Sequence, residues 1–285
     1  MVSDEKLDVL FFASGYCVAQ SRIVNPGGGW GWRRFYAVWV LIKHPVMGVI
    51  LFDGGYNLSF NIATKAWPDR LYRWVTPVVV TDSDSAVSIL KREGISPVDV
   101  KYFVISHFHA DHICALNDFP NAELICSKKG YEEVARLDGF AAVRKGILKR
   151  LIPVDFEKRV LFLEDISITH IDNDSQLTFF VPFGQDLLQF VDLPGHARGM
   201  FGFYVKTSDG EILYGTDASW ESDMFLNGIL PSPVVRLFID SWPEYMETNR
   251  KLLLFLRNNP GTQILFTHCS RTLKYVRFPV ENRII

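Results

Sequence analysis

The sequence predicts an α/β protein in which mixed β-sheets are covered by helices, and three observations carry that prediction. Short apolar runs bounded by Gly, Pro or Asp recur from residue 9 to residue 266. Longer stretches with helical start and stop residues lie between them. Hydrophobic residues make up 48% of the 285, enough to bury a full-sized core.

Taken in order, strands are expected over 9–13, 36–42 and 49–52, each an apolar run closed by a turn-forming residue. Residues 54–82 then hold Tyr56, Phe60, Trp67, Tyr72 and Trp74 without clear periodicity. This aromatic-rich insertion reads as core, as a subunit interface of a homodimer, or as an apolar wall for an acyl chain. A helix is expected over 84–93, capped within 82–84 and stopped by Gly94. A buried strand over 102–105 leads into a histidine cluster, followed by a strand over 124–126 and helices over 129–137 and 141–150. The second of these helices is basic and reads as a solvated face. Short strands recur over 160–163, 167–170, 187–191, 201–206 and 211–214, with Ser208-Asp209-Gly210 as the hairpin turn between the last pair. A helix over 243–258 puts Leu252, Leu253 and Phe255 on its apolar side, and a strand over 263–266 closes the pattern. No repeat, low-complexity tract or Ser/Gly linker divides the chain, so residues 1–285 read as one domain.

Composition narrows the function. Thirty basic and 32 acidic residues leave no electrostatic footprint for nucleic acid and no polybasic face for a membrane. No segment approaches the roughly 18–20 apolar residues that span a bilayer. The N-terminus is polar, and the apolar run at 9–13 is too short for a signal-peptide core. Cys17, Cys114, Cys126 and Cys269 lack CxxC spacing and read as free thiols. These features together predict a soluble cytoplasmic protein.

The chemistry sits in Ser106-His107-Phe108-His109-Ala110-Asp111-His112. In an extended chain the side chains at i and i+2 share one side, so His107 and His109 can grip one ion together. Asp111 and His112 follow where the strand must turn and can reach a second ion. Imidazole and carboxylate suit zinc and its first-row neighbours. Three further candidates, His196, Asp217 and His268, each stand just beyond an expected strand. Loops at strand ends, held by a rigid sheet, are where sites are built. Gly-x-Ser-x-Gly is absent, so no nucleophile-elbow reading competes.

The segment 107–112, with Gly195-His196, Asp217 and His268 in that order, resembles the metallo-β-lactamase superfamily over nearly the whole chain. That resemblance implies a four-layer αββα sandwich of two mixed β-sheets flanked by helices. It implies two divalent metal ions, zinc first, with iron, manganese or cobalt as substitutes. His107, His109 and His196 would hold one ion, Asp111, His112 and His268 the other, and Asp217 would bridge them. Two divalent ions, less two carboxylates and one hydroxide, leave a single positive charge to stabilise an oxyanion. A water between ions about 3.5–4 Å apart is acidified towards neutrality, so a bridging hydroxide is available as nucleophile. Asp53-Gly54-Gly55 is similar to the family's early Asp-Thr-Gly turn, with Gly54 in place of Thr.

Departures inside the superfamily narrow it further. Ala110 stands where flavo-diiron proteins carry a Glu ligand, and no Cys occupies a ligand position as in antibiotic β-lactamases. Gly215-Thr216-Asp217-Ala218-Ser219-Trp220 resembles the Gly-Asp-Ala-Ser-Tyr pattern of N-acyl homoserine lactonases, with Trp220 in the place of the Tyr. An indole N–H donates a hydrogen bond but cannot relay a proton as a phenol does. The expected reaction is opening of a small-molecule lactone, N-acyl homoserine lactone first, with Asp111 passing a proton and Trp220 positioning the substrate. A glyoxalase-II-type thioesterase or other acyl-ester hydrolase is the alternative, and a di-iron redox or metal-responsive binding protein is another. Arg198 is a candidate for an anionic substrate group, and Gly27-Gly28-Gly29 beside Trp30 and Trp32 for a mobile flap.

Overall fold

The computed structural model describes residues 6–27 and 29–277. Residues 1–5, most of the polar N-terminus, and Gly28 of the glycine run lie outside the described residues. Thirteen strands, β1 (Asp8–Gln20), β2 (Trp32–His44), β3 (Gly48–Phe52), β4 (Val78–Val79), β5 (Val100–Val104), β6 (Glu123–Cys126), β7 (Val160–Phe162), β8 (Ser167–Ile171), β9 (Thr178–Pro182), β10 (Leu188–Asp192), β11 (Phe201–Thr207), β12 (Gly210–Tyr214) and β13 (Thr262–Leu265), form two sheets among the described residues. The first runs β4-β1-β2-β3-β5-β6-β7, the second β13-β12-β11-β10-β9-β8. Both are mixed. The first is antiparallel from β4 to β3 and parallel from β3 to β7, and the second is antiparallel except where β12 meets β13.

Strand β2 shows why the sheets stack. Ala37, Trp39 and Leu41 project to one face and pack under helices, while Val38, Val40 and Ile42 project to the other and pack against the second sheet. A strand buried on both faces reads as a continuous apolar run, which is the run the sequence carries. Between the sheets, Phe52 meets Phe203 at 4.9 Å, Tyr214 at 5.9 Å, and Phe190 and Phe201 at 6.1 Å each, mostly edge to face. Outside the first sheet, helices Ala86–Arg92 and Lys128–Arg136 bury Ala86, Ile89, Leu90 and Val134. Outside the second, helix Trp242–Asn258 buries Leu252 and Phe255. The result is the expected four-layer order of helix, sheet, sheet and helix.

Several elements differ in extent from expectation. Strands β1 and β2 run on to form a long ribbon, with a register shift between Ala13 and Tyr16 where Gly15 adopts a φ of 70°. The helix expected over 84–93 begins at Ala86, because the Ser85 side chain accepts the Ser88 N–H; residues Asp82–Asp84 form a separate 3₁₀ turn. The basic helix expected over 141–150 occupies Gly139–Arg144 and stops there, since Gly146 turns at a φ of 73°. Strand β9 had no counterpart in the expectation. Within the aromatic insertion, Tyr56 and Phe60 are core, whereas Trp67 and Trp74 lie on the surface with Phe140. No helix among the described residues is long and apolar enough to cross a membrane.

Candidate metal centre

The candidate residues meet at one end of the sandwich, each carried by a loop at a strand's C-terminal end. Residues 106–112 follow β5, His196 follows β10, Asp217 follows β12 and His268 follows β13. Both sheets therefore contribute. One donor atom each from His107, His109, His196 and Asp217 lie within 4.8 Å of one another, and the same holds for Asp111, His112, Asp217 and His268. Asp217 belongs to both groups. All seven side chains are buried except that of His109, which is half-buried.

Local backbone explains the convergence. Past a bend at Ser106 the chain is extended at His109, with His107 Nε2 3.0 Å from His109 Nδ1, and then the short helix Ala110–Ile113 sends Asp111 and His112 to the second group. Thr216, at a φ of 46°, holds an uncommon left-handed conformation for a β-branched residue and aims Asp217 inward. Its carbonyl accepts the Thr267 N–H at 3.0 Å, which locks the Asp217 loop to the His268 loop.

Partners on the far side of four of the five rings set their tautomers, and the far-side nitrogen of the fifth, His196 Nδ1, has none. His109 Nε2 donates to the Lys145 carbonyl at 3.1 Å, His268 Nδ1 to the Tyr36 carbonyl at 2.8 Å, and His112 Nδ1 to Asp53 Oδ2 at 2.8 Å. Ser106 Oγ gives its proton to Asp53 at 2.8 Å, so it accepts from His107 Nδ1 at 3.1 Å. Each of these four rings then turns its other nitrogen inward. His107 Nε2 and His109 Nδ1 face one another as two acceptors, with His196 Nε2 also 3.0 Å from His109 Nδ1. A His196 Nε2–H can satisfy at most one of these acceptors, whereas a cation can take all three nitrogens. Buried His112 Nε2 and Asp217 Oδ1 have no hydrogen-bond partner, as donor atoms held for an ion would not. The residues present fit two divalent cations.

Charge is distributed unevenly between the groups. Burial opposes ionisation of Asp111 and Asp217, yet His112 and His268 hold both well below the usual carboxylate range. In return, and against their own burial, His268 is pushed up to about 10 and His112 well above its ordinary value. Burial and neighbouring imidazoles keep His107 well below its ordinary value, and burial lowers His109 and brings His196 to about 3. The imidazoles of one group are thus neutral, while those of the other hold protons against two carboxylates.

Sequence reasoning gave no role to Asp53, although it lies fully buried at a φ of 61° and joins Ser106 and His112. Its signal was the Asp-Gly-Gly turn after β3. Gly54 has a packing reason: a Cβ there would stand 2.6 Å from Ala115 Cβ. Trp220 is half-buried, its ring edge-on to His196 at 5.7 Å and tilted against Tyr245 at 6.3 Å. Arg198 is exposed; it stands in the wall of a charged cavity of about 670 Å³ and also lines, with His109 and His196, a small pocket beside the donor groups.

Two stacked mixed sheets between helices, with His and Asp donors gathered at one end, are the architecture of a metallohydrolase. A family model described as the metallo-beta-lactamase superfamily matches residues 32–268, and the chain belongs to that superfamily. Among its relatives, the N-acyl homoserine lactonase AttM of Azorhizobium caulinodans is 29% identical over 271 residues, 94% of each chain. The AttM of Agrobacterium fabrum is 26% identical over 92% of this chain and 93% of its own. A solved quorum-quenching N-acyl homoserine lactone lactonase shares the fold with a TM-score of 0.70, at 21% identity, covering 96% of this chain and 98% of that one.

Proposed function

We propose that this protein is a metal-dependent hydrolase that opens a lactone ring, with an N-acyl homoserine lactone as its substrate. The observation that carries this reading is the pair of donor groups sharing Asp217, in a chain whose relatives are named for that reaction. His107, His109 and His196 would hold one cation, Asp111, His112 and His268 the other, with Asp217 common to both. Zinc suits this donor set, and iron, manganese and cobalt are compatible with it. When bound, such a pair supplies an acidified water as the attacking hydroxide and polarises the carbonyl of the ester.

The chain's own groups do the rest. Asp53, Ser106, Lys145 and Tyr36 keep the inner imidazole nitrogens aimed at the site, so no ring must turn when substrate arrives. Asp111 Oδ2, 3.4 Å from His112 Nε2 and 3.3 Å from His268 Nε2, is the atom that carries a proton to the leaving alkoxide. Trp220 steadies His196 and offers an indole N–H to the substrate, without relaying protons. Donors come from loops of both sheets, so we read the chain as one functional domain. The four cysteines are free, and three are buried, which suits a reducing cytoplasm.

A panel of an N-acyl homoserine lactone, a glutathione thioester and a bis-aryl phosphodiester, on protein whose metals have been counted, tests the reading. One acid should appear per lactone consumed, chelation should stop the reaction, and His109→Ala or Asp217→Ala should remove both metal and turnover. Preference for the thioester would assign the site to thioester hydrolysis instead, and full activity in metal-free protein would refute the mechanism.

A further inference from the structure

We propose that the Lys145–Asp240 ion pair is a clasp that positions His109 and His196 together, and so sets the cation affinity of the group they form with His107 and Asp217. The proposal rests on the reading above that the two donor groups take divalent cations.

Each member of the pair sits on the backbone that supports one of the two histidines. The Lys145 carbonyl accepts the His109 Nε2–H at 3.1 Å. Gly146, next in the chain, lies so flat against the imidazole that a Cβ would come 2.6 Å from His109 Cδ2. Ile147 then makes a β-bridge back to His109 itself. Residues 145–147 are thus the seat of the His109 ring. On the other side, the Asp240 N–H donates to the His196 carbonyl at 3.1 Å and the Ser241 N–H to the Gly195 carbonyl at 2.9 Å. Gly195, with a φ of 128°, presses on the first turn of helix Trp242–Asn258, where a Cβ would be 2.2 Å from the Tyr245 nitrogen. Residues 240–241 are the seat of His196.

These two seats are 95 residues apart in sequence, and the Lys145 ammonium joins them by its contact with the Asp240 carboxylate. Glu133 Oε1, 4.0 Å from the same ammonium, adds a second negative charge to the junction. The clasp matters on the Lys145 side because helix Gly139–Arg144 is short and exposed and buries only Ala142. The pair ties the end of this helix to the loop whose backbone holds the His196 carbonyl. His109 Nδ1 and His196 Nε2 stand 3.0 Å apart across the junction, so a small drift of either seat alters a shared donor geometry.

Cation titration of the cation-free full-length chain tests this, using cobalt(II), whose absorption distinguishes the group with three imidazoles from the group with two. Lys145→Met and Asp240→Asn should each weaken the three-imidazole group by about 10–100-fold and leave the other group's affinity unchanged. The double variant should be no worse than either single one, because both remove the same contact. Lys145→Arg, which keeps the cation, should restore the wild-type affinity. Two ions bound by wild type, with unchanged affinities in the variants or an equal fall at both groups, would overturn the clasp alone. A wild-type chain that takes up no divalent cation would overturn the functional reading and the clasp with it.

Discussion

At the scale of single residues, the two donor groups differ in the protons they must give up. His268, pushed up to about 10 by Asp217 and Asp111 despite its burial, and His112, raised by Asp111, Asp53 and Asp217, both carry protons at pH 7 in the cation-free chain. His196, lowered by burial to about 3, is neutral at that pH, and His107 and His109 are shifted in the same direction. A cation entering the Asp111–His112–His268 group therefore displaces protons, whereas one entering the His107–His109–His196 group displaces none. Affinity at the first should strengthen as pH rises towards about 10, and affinity at the second should stay flat from pH 6 upward, with about two protons released per chain on full loading at pH 7. Calorimetry in buffers of different ionisation enthalpy measures that release, and a value near zero would contradict this division of charge. The donors were legible in the sequence because each is a His or Asp just past an apolar run. Asp53, Tyr36 and Lys145 were not, because two of them act through backbone carbonyls, which any residue supplies.

Elements were legible where local chemistry decides them. The runs at 36–42 and 49–52 are strands because they are short, rich in β-branched and aromatic residues and closed by turn formers, and Ser208-Asp209-Gly210 does join β11 to β12. Strand β9 was missed because its half-buried Thr-Phe-Phe-Val-Pro run owes its conformation to β8 and β10, partners that no local signal reveals. The helix expected over 141–150 failed for a tertiary reason. Lys145 and Gly146 leave the helix to cradle His109, and only a glycine fits against that ring. Gly146→Ala should cost about 1–2 kcal/mol for the left-handed backbone alone, plus displacement of His109 and loss of cation affinity. Gly139 has a φ of 53° and open space where a Cβ would stand, so Gly139→Ala should show the backbone cost without the change in affinity. Denaturant unfolding and cation titration of the two variants separate these effects; equal affinities would mean that the His109 seat tolerates movement.

For the whole molecule, the decisive fact is that the donor set spans two sheets that touch through a mostly aromatic and aliphatic layer. His107, His109, Asp111 and His112 are carried by the first sheet, and His196, Asp217 and His268 by the second. Their separation is thus set by how closely the sheets pack, and Phe52 is the residue through which one sheet meets four rings of the other. Its side chain is fully buried, so Phe52→Ala should destabilise the fold by about 3–5 kcal/mol through lost transfer energy and a residual cavity. Phe119 is equally buried, but it packs with Phe103 on the helix-covered face of the first sheet. Phe119→Ala should cost a similar amount of stability and leave the spacing between the sheets intact. The two variants, compared without denaturant at a temperature where both remain folded, should diverge in cation binding: Phe52→Ala weakens both groups through Asp217, and Phe119→Ala weakens neither. Equal cation affinity in the two would show that the loops hold the donors together without help from the layer beneath them.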